Sequence, residues 1–169
     1  NPPLSCKAEV YEPPPGRTPE VFRSGGVSVD GNGIVWLNWR GTDYMTSFDR
    51  SKCKTLNGPQ ATGQHCPEGW QVHIKPGPTF ATTAPNTPNN SDLLYLTHVD
   101  KHNTLGLGPN VPVSGSVNTD SLLAFVPGTS QFVQLTVPYP MGFFARSAQG
   151  RVDDARAGWK GRGFYSTYS

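Results

Sequence analysis

The sequence predicts an all-β protein, part of a β-propeller with long loops, and three observations lead there. Between residues 26 and 49, runs of alternating apolar and polar residues are broken at Gly31-Asn32-Gly33 and Gly41-Thr42-Asp43. Period-two patterning with such turn formers marks consecutive antiparallel strands, and a meander of about four strands makes one propeller blade. The composition agrees, because 35% hydrophobic and 15% charged residues, with 19 Gly and 17 Pro in 169, leave few uninterrupted runs for helices. Finally, the pattern recurs in order along the chain.

The chain divides into a lead-in, 1–23, and a β-propeller segment, 24–169. The lead-in carries Pro2, Pro3, Pro13, Pro14, Pro15 and Pro19. Proline removes ladder donors, so only Lys7-Ala8-Glu9-Val10-Tyr11 is open to forming an edge strand. The first blade-like unit runs over 25–49. Alternation resumes at Gly69-Trp70-Gln71-Val72-His73-Ile74-Lys75-Pro76, and Leu93-Leu94-Tyr95-Leu96-Thr97-His98-Val99 reads as a strongly β-prone strand. The Thr/Pro/Asn-rich stretch 80–92 and the Gly-marked stretch 100–116 read as loops.

The repeat then follows. Residues 118–125 match 41–48, with Thr-Asp and Phe at the same offsets, and 132–138 match 72–76, each ending in proline. Residues 142–150 match 26–33, and 164–168 stand where 35–39 stood, after the insertion 152–162. Repeated four-stranded units are the sequence mark of a propeller. A closed ring needs at least about four blades of roughly 40–50 residues, and this chain holds about three units. The ring is therefore expected to be completed by the rest of a longer chain or by another subunit. The alternative for the same strands is a β-sandwich with long loops.

Cys6, Cys53 and Cys66 are the three cysteines. Cys53 and Cys66 flank a Gly/Pro/Asn-rich loop with almost nothing apolar to fold it. A disulfide between them would restrict the unfolded loop by about 3 kcal/mol. It would also imply an extracytoplasmic compartment, periplasmic or secreted. Cys6 is then free or paired outside this stretch. No run approaches the roughly 20 apolar residues of a membrane span. The net charge of +2, with basic residues scattered, gives no argument for nucleic acid.

Val27-Ser28-Val29-Asp30-Gly31-Asn32-Gly33-Ile34-Val35-Trp36 resembles the core of NHL repeats, specifically of secreted bacterial propellers similar to streptogramin (virginiamycin B) lyase. Three further stretches resemble long members of that group: 56–70, His102-Asn103-Thr104-Leu105-Gly106-Leu107-Gly108, and Gly158-Trp159-Lys160-Gly161-Arg162-Gly163. The resemblance implies a propeller fold and an extracytoplasmic binding or interaction module. The lyase of the group uses Mg²⁺ and a histidine base. None of His65, His73, His98 or His102 matches its catalytic motif, so the activity does not carry over.

Three constellations are candidates for chemistry. His98 and His102, with Asp100 between them, can converge at one rim, where imidazoles and a carboxylate suit a metal ion or a general base. Asp153 and Asp154, beside Arg151 and Arg156, offer oxygen ligands for Mg²⁺ or Ca²⁺ or pair with those arginines. Trp39 and Trp159, each near a cationic residue and the latter close to Arg162, suit stacking on a sugar, whereas Trp36 and Trp70 are expected to fill the wedge between sheets. Asp30-Gly31-Asn32-Gly33 lacks the downstream acidic ligand of a calcium loop and reads as a hairpin turn. The functional expectations are thus a binding or interaction module first. A metal-assisted lyase or hydrolase and a carbohydrate-binding protein are the alternatives.

Overall fold

A computed structural model describes residues 8–13, 24–39, 44–56, 66–76, 97–116, 119–137, 148–152, 158 and 162–166. The chain is all-β. The first sheet is a meander of β1 (Ser24–Val29), β2 (Val35–Trp39), β3 (Tyr44–Phe48) and β4 (Trp70–Ile74), in that spatial order. The second repeats it with β5 (His98–Asp100), β6 (Val111–Ser116), β7 (Ser121–Val126) and β8 (Gln131–Thr136). The third comprises the hairpin β9 (Ala148–Val152) and β10 (Arg162–Ser166). All pairings are antiparallel. Two short 3-10 turns, Arg50–Lys52 and Pro67–Gly69, are the helical elements among the described residues.

The expected repeat is visible in the strand positions of the first two sheets, but the expected matches of 142–150 to 26–33 and of 164–168 to 35–39 are shifted, because Val152 pairs with Arg162 where Val29 pairs with Val35. Phe48 and Phe125 sit on the third strands, and the runs ending in Pro76 and Pro138 supply the fourth strands. Cα atoms of β1 come within 8 Å of β5, and those of β5 within 8 Å of β9. Face-to-face sheets normally stand about 10 Å apart. The first strands of successive sheets therefore converge, as blades do toward a propeller axis, rather than pairing as one two-layer sandwich.

Three expectations need correction. Residues 111–116 are not loop but β6, a central strand paired to β5 and β7 and buried along its whole length. Its small Val, Ser and Gly residues are covered on both faces, so no alternation betrays it. Residues 8–13 form no strand. They attach through side chains instead, with the Tyr11 ring 4.8 Å from Phe48 and Glu9 gripping Arg50 in a bidentate pair at 2.6 Å. The β-strand expected over 93–99 is seen as β5, which spans His98–Asp100, and 91–96 lie outside the described residues. The Thr42-Asp43 turn and residues 142–147 lie outside them too.

By pairing register, Trp36, Asn38, Met45, Ser47, Gln71 and His73 share one face of the first sheet, and Val27, Val29, Leu37, Phe48, Trp70 and Ile74 share the other. The first face packs on the second sheet, where Trp36 and Met45 meet Val99, Leu123 and Phe125. Fully burying such side chains contributes about 1.5–3 kcal/mol each. The far face of the second sheet, built from Val111, Val113 and Ala124, receives Phe164 of β10. The order of sheets in space is thus first, second, third.

On the opposite face of the first sheet, Phe48 and Trp70 pack with Tyr11 and the Cys53–Cys66 disulfide, whose Cα atoms are 4.8 Å apart. Gly69 is obligatory beneath it, since a Cβ there would lie 2.7 Å from Cys66 Sγ and 2.8 Å from the Phe48 ring. Among the described residues no helix is long and apolar enough to cross a membrane.

Candidate functional site

A cleft of about 490 Å³ lies where the first sheet faces the loops of the second. Its floor is aromatic. Trp36 from β2, His73 from β4 and Phe125 from β7 lie within one another's reach, with centroids 5.5 Å apart for Trp36–His73 and 4.2 Å for His73–Phe125. The rim is polar: Gln71, Lys52, Asn110 and Ser130. The cleft continues outward past Val72, Ile74 and Phe132 as the two sheets diverge.

Ser47 Oγ and His73 Nε2 are 2.9 Å apart across the β3–β4 pairing. They are diagonal neighbours on one face, because Met45 stands opposite His73 and Ser47 opposite Gln71. Burial among the aromatic rings lowers the His73 pKa from 6.5 to about 4, so the ring is neutral near pH 7. Among the described residues Ser47 is its hydrogen-bond partner, and no carboxylate orients the ring from behind.

The acidic groups near the cleft are already engaged. Asp30, buried at the end of β1, accepts from the backbone N–H of Asn32 at 2.8 Å and of Ile34 at 2.9 Å, and from Trp36 Nε1 at 3.0 Å. This fastens the β1–β2 turn, confirming it as a hairpin. Gly31 N–H then donates to Asn110 Oδ1 of the second sheet at 2.8 Å, joining the two units. Asp49 accepts from Ser51 and stands 3.7 Å from Lys52 Nζ. The cleft therefore presents hydroxyl and amide groups together with the Lys52–Asp49 pair.

His98, Asp100 and His102 surround a smaller space of about 210 Å³, with Ser28, Val99 and Lys101. Asp100 is 1% exposed, and its oxygens accept from the backbone N–H of His102 at 3.3 Å, Thr104 at 3.0 Å and Leu105 at 2.9 Å. Burial alone would raise its pKa, but those donors outweigh it and hold the carboxyl below its ordinary value. His98 packs edge-on against Phe164 at 5.4 Å, and burial lowers its pKa. Among the described residues no three His, Cys, Asp or Glu side chains gather as a metal site.

Of the other sequence candidates, Trp39 is half-buried on the far face of the first sheet, with Nε1 donating to Thr46 Oγ1 at 2.8 Å. Arg162 opens β10. Trp159, Asp153 and Asp154 lie outside the described residues. Cys53 and Cys66 are joined as expected. The pairing of Ser47 with His73 leaves no mark in the sequence, because it is made by strand register between residues 26 apart. The position of Asp100 did carry a signal, the dipeptide Val99-Asp100 repeating Val29-Asp30.

No family model matches the chain, and no curated protein matches it. Among solved structures, virginiamycin B lyase from Staphylococcus aureus aligns at 11% identity with a TM-score of 0.26, covering 72% of this chain. The chain spans 58% of that protein's length. A likeness of that size carries no argument about site or activity.

Proposed function

We propose that the protein is an extracytoplasmic binding module of the NHL, streptogramin-lyase-like propeller type, whose ligand enters the cleft between the first two sheets. The observation that carries this is the cleft itself: an aromatic floor of Trp36, His73 and Phe125 under a rim of amides and hydroxyls. Such a site takes an uncharged ligand with one apolar side and several hydrogen-bonding groups. The disulfide supports a periplasmic or secreted location. The stack of converging sheets supports a place within a larger ring, completed by further chain or by another subunit.

Tryptophan fluorescence tests the cleft, since Trp36 lies in its floor. Neutral oligosaccharides and end-blocked, uncharged oligopeptides serve as probes. At least one class should give a saturable response, weakened about fivefold or more by Gln71→Ala or Ser130→Gly, the loss of roughly one hydrogen bond. Ser130 has φ 55°, which glycine adopts without strain. No saturable response to either class would refute the reading.

A second reading has its own observation. With Nε2 unprotonated, the Ser47 hydroxyl donates to a neutral imidazole, the pairing that activates a nucleophile. Turnover of a simple aryl ester that Ser47→Ala abolishes would favour this hydrolase over the binding module. The metal-assisted lyase or hydrolase built on His98, Asp100 and His102 would require Asp100 to release its backbone donors. For carbohydrate binding, Trp39 would stack through its ring face while its Nε1, in the ring plane, keeps the bond to Thr46.

A further inference from the structure

The layer between the first two sheets is not apolar throughout. By register, Asn38 stands opposite Met45 and shares its face, which packs on the second sheet. Ser114 stands opposite Leu123, on the face that the second sheet turns toward the first. Met45 and Leu123 belong to one packed cluster, so Asn38 and Ser114 flank that cluster from its two sides. Thr97 lies two residues ahead of Val99 and shares its face by alternation. Continuing the β5–β6 register places it beside Ser114.

Asn38 and Ser114 are 0% exposed. Yet Asn38 Oδ1 and Nδ2, Ser114 Oγ and Thr97 Oγ1 are buried atoms that hydrogen-bond to no protein group. Folded proteins pair nearly all their buried polar atoms, using ordered water where no protein group reaches. A carboxamide and two hydroxyls orphaned in one layer therefore point to a shared partner. The repeat shows that the position itself does not demand polarity. Gly115, opposite Leu122, is the counterpart of Asn38 in the second sheet, and its layer is filled by Val113, Ala124, Leu122 and Phe164.

We propose that Asn38, Ser114 and Thr97 form a buried water site that bridges the first sheet to the second. The chemistry of the three side chains selects water. Asn38 presents a donor as well as an acceptor, and each hydroxyl can serve as either. A water molecule answers both needs. A cation would satisfy only the oxygens and would set its charge against the Nδ2 protons. Buried waters make about three hydrogen bonds, which this trio supplies. A larger ligand has no entry, since Asn38 and Ser114 are fully enclosed and none of the three residues lines the cleft. The site is thus separate from the cleft and stands whether or not the cleft takes a ligand.

Relaxation dispersion of water ¹⁷O on the full chain tests this. It counts waters held longer than the protein takes to tumble, and it is blind to proton exchange at hydroxyls. The native protein should hold such water, and Asn38→Leu should remove at least one molecule of it. Ser114→Val, a side chain suited to a strand, should do the same independently, so the test survives if one variant fails to fold. Far-UV circular dichroism reports the folding of each. A native protein without long-lived water overturns the site. So does either folded variant that keeps the native dispersion amplitude, because the water would then be held elsewhere.

Discussion

Asp30 and Asp100 occupy the same place in successive sheets. Each ends the first strand after a valine, and each accepts through Oδ1 from the backbone N–H of the residues two and four positions further on. The second oxygen differs in its partner. It takes Trp36 Nε1 at Asp30 and the Leu105 N–H at Asp100. A carboxylate set among several N–H groups satisfies donors that the tight turn would otherwise leave unpaired.

Removing either staple should therefore cost more than one ordinary hydrogen bond. Asp30→Ala leaves the buried Trp36 indole N–H unpartnered and is expected to cost about 3 kcal/mol, roughly 6–12 °C in unfolding midpoint. For Asp100 the cost is pH-dependent. Its pKa is lowered in the fold, so its contribution is complete above the ordinary value of 3.8 and disappears as the pH falls below it. The midpoint gap between native protein and Asp100→Asn should accordingly narrow below about pH 4. A gap that stays constant through that range would show that the charge on Asp100 is immaterial.

The disulfide closes a span of 13 residues. Cys53→Ala with Cys66→Ala is expected to lower stability by about 3 kcal/mol through the freer unfolded loop. The near-UV signal of Trp70 should weaken as well, because both cysteines pack in its cluster. Thermal unfolding with and without reductant reads the first effect. A loss under about 1 kcal/mol would mean that the Phe48–Trp70–Tyr11 packing holds the loop unaided.

His73 should make the fold acid-sensitive over a different window. Its pKa is depressed from 6.5 to about 4, so the unfolded chain takes up a proton first as the pH falls. Stability attributable to this group is present above pH 6.5 and is lost progressively toward pH 4. His73→Gln should flatten that part of the stability–pH curve. The imidazole ¹H signals of the native protein give the direct check, and a titration midpoint near 6.5 would contradict the buried, aromatic-packed setting.

These particulars show where the sequence was legible. Alternation and turn residues disclosed the third and fourth strands of both sheets, because one side of each faces a core and the other does not. In the second sheet β5 is heralded by the β-prone run 93–99, whereas β6, Val111-Pro112-Val113-Ser114-Gly115-Ser116, is buried throughout and offers no period of two. The aromatic filling of the wedge by Trp36 was readable from residue type. The Ser47–His73 contact was not, since only the register of β3 on β4 creates it. Around Asp100 the residue types are plain in the sequence, but the backbone N–H groups of His102, Thr104 and Leu105 that its carboxylate accepts from are brought to it by the fold of the loop.

The same staple provides a test at the third unit. Val152-Asp153 follows the pattern of Val29-Asp30 and Val99-Asp100, and Val152 pairs with Arg162 at the start of β10 as Val29 pairs with Val35 at the start of β2. If the sequence relation carries the same role, Asp153→Ala should destabilise the protein by about 2–3 kcal/mol. Asp154→Ala, with no counterpart in the other units, should stay within about 0.5 kcal/mol. Millimolar Mg²⁺ or Ca²⁺ should leave both midpoints unmoved. A metal site at Asp153 and Asp154 predicts the opposite pattern: the cation raises the native midpoint, and either substitution abolishes that rise, because a ligand that binds only the folded state stabilises it by mass action. Thermal unfolding of the three proteins with and without the cation separates a turn-fastening aspartate from a ligand.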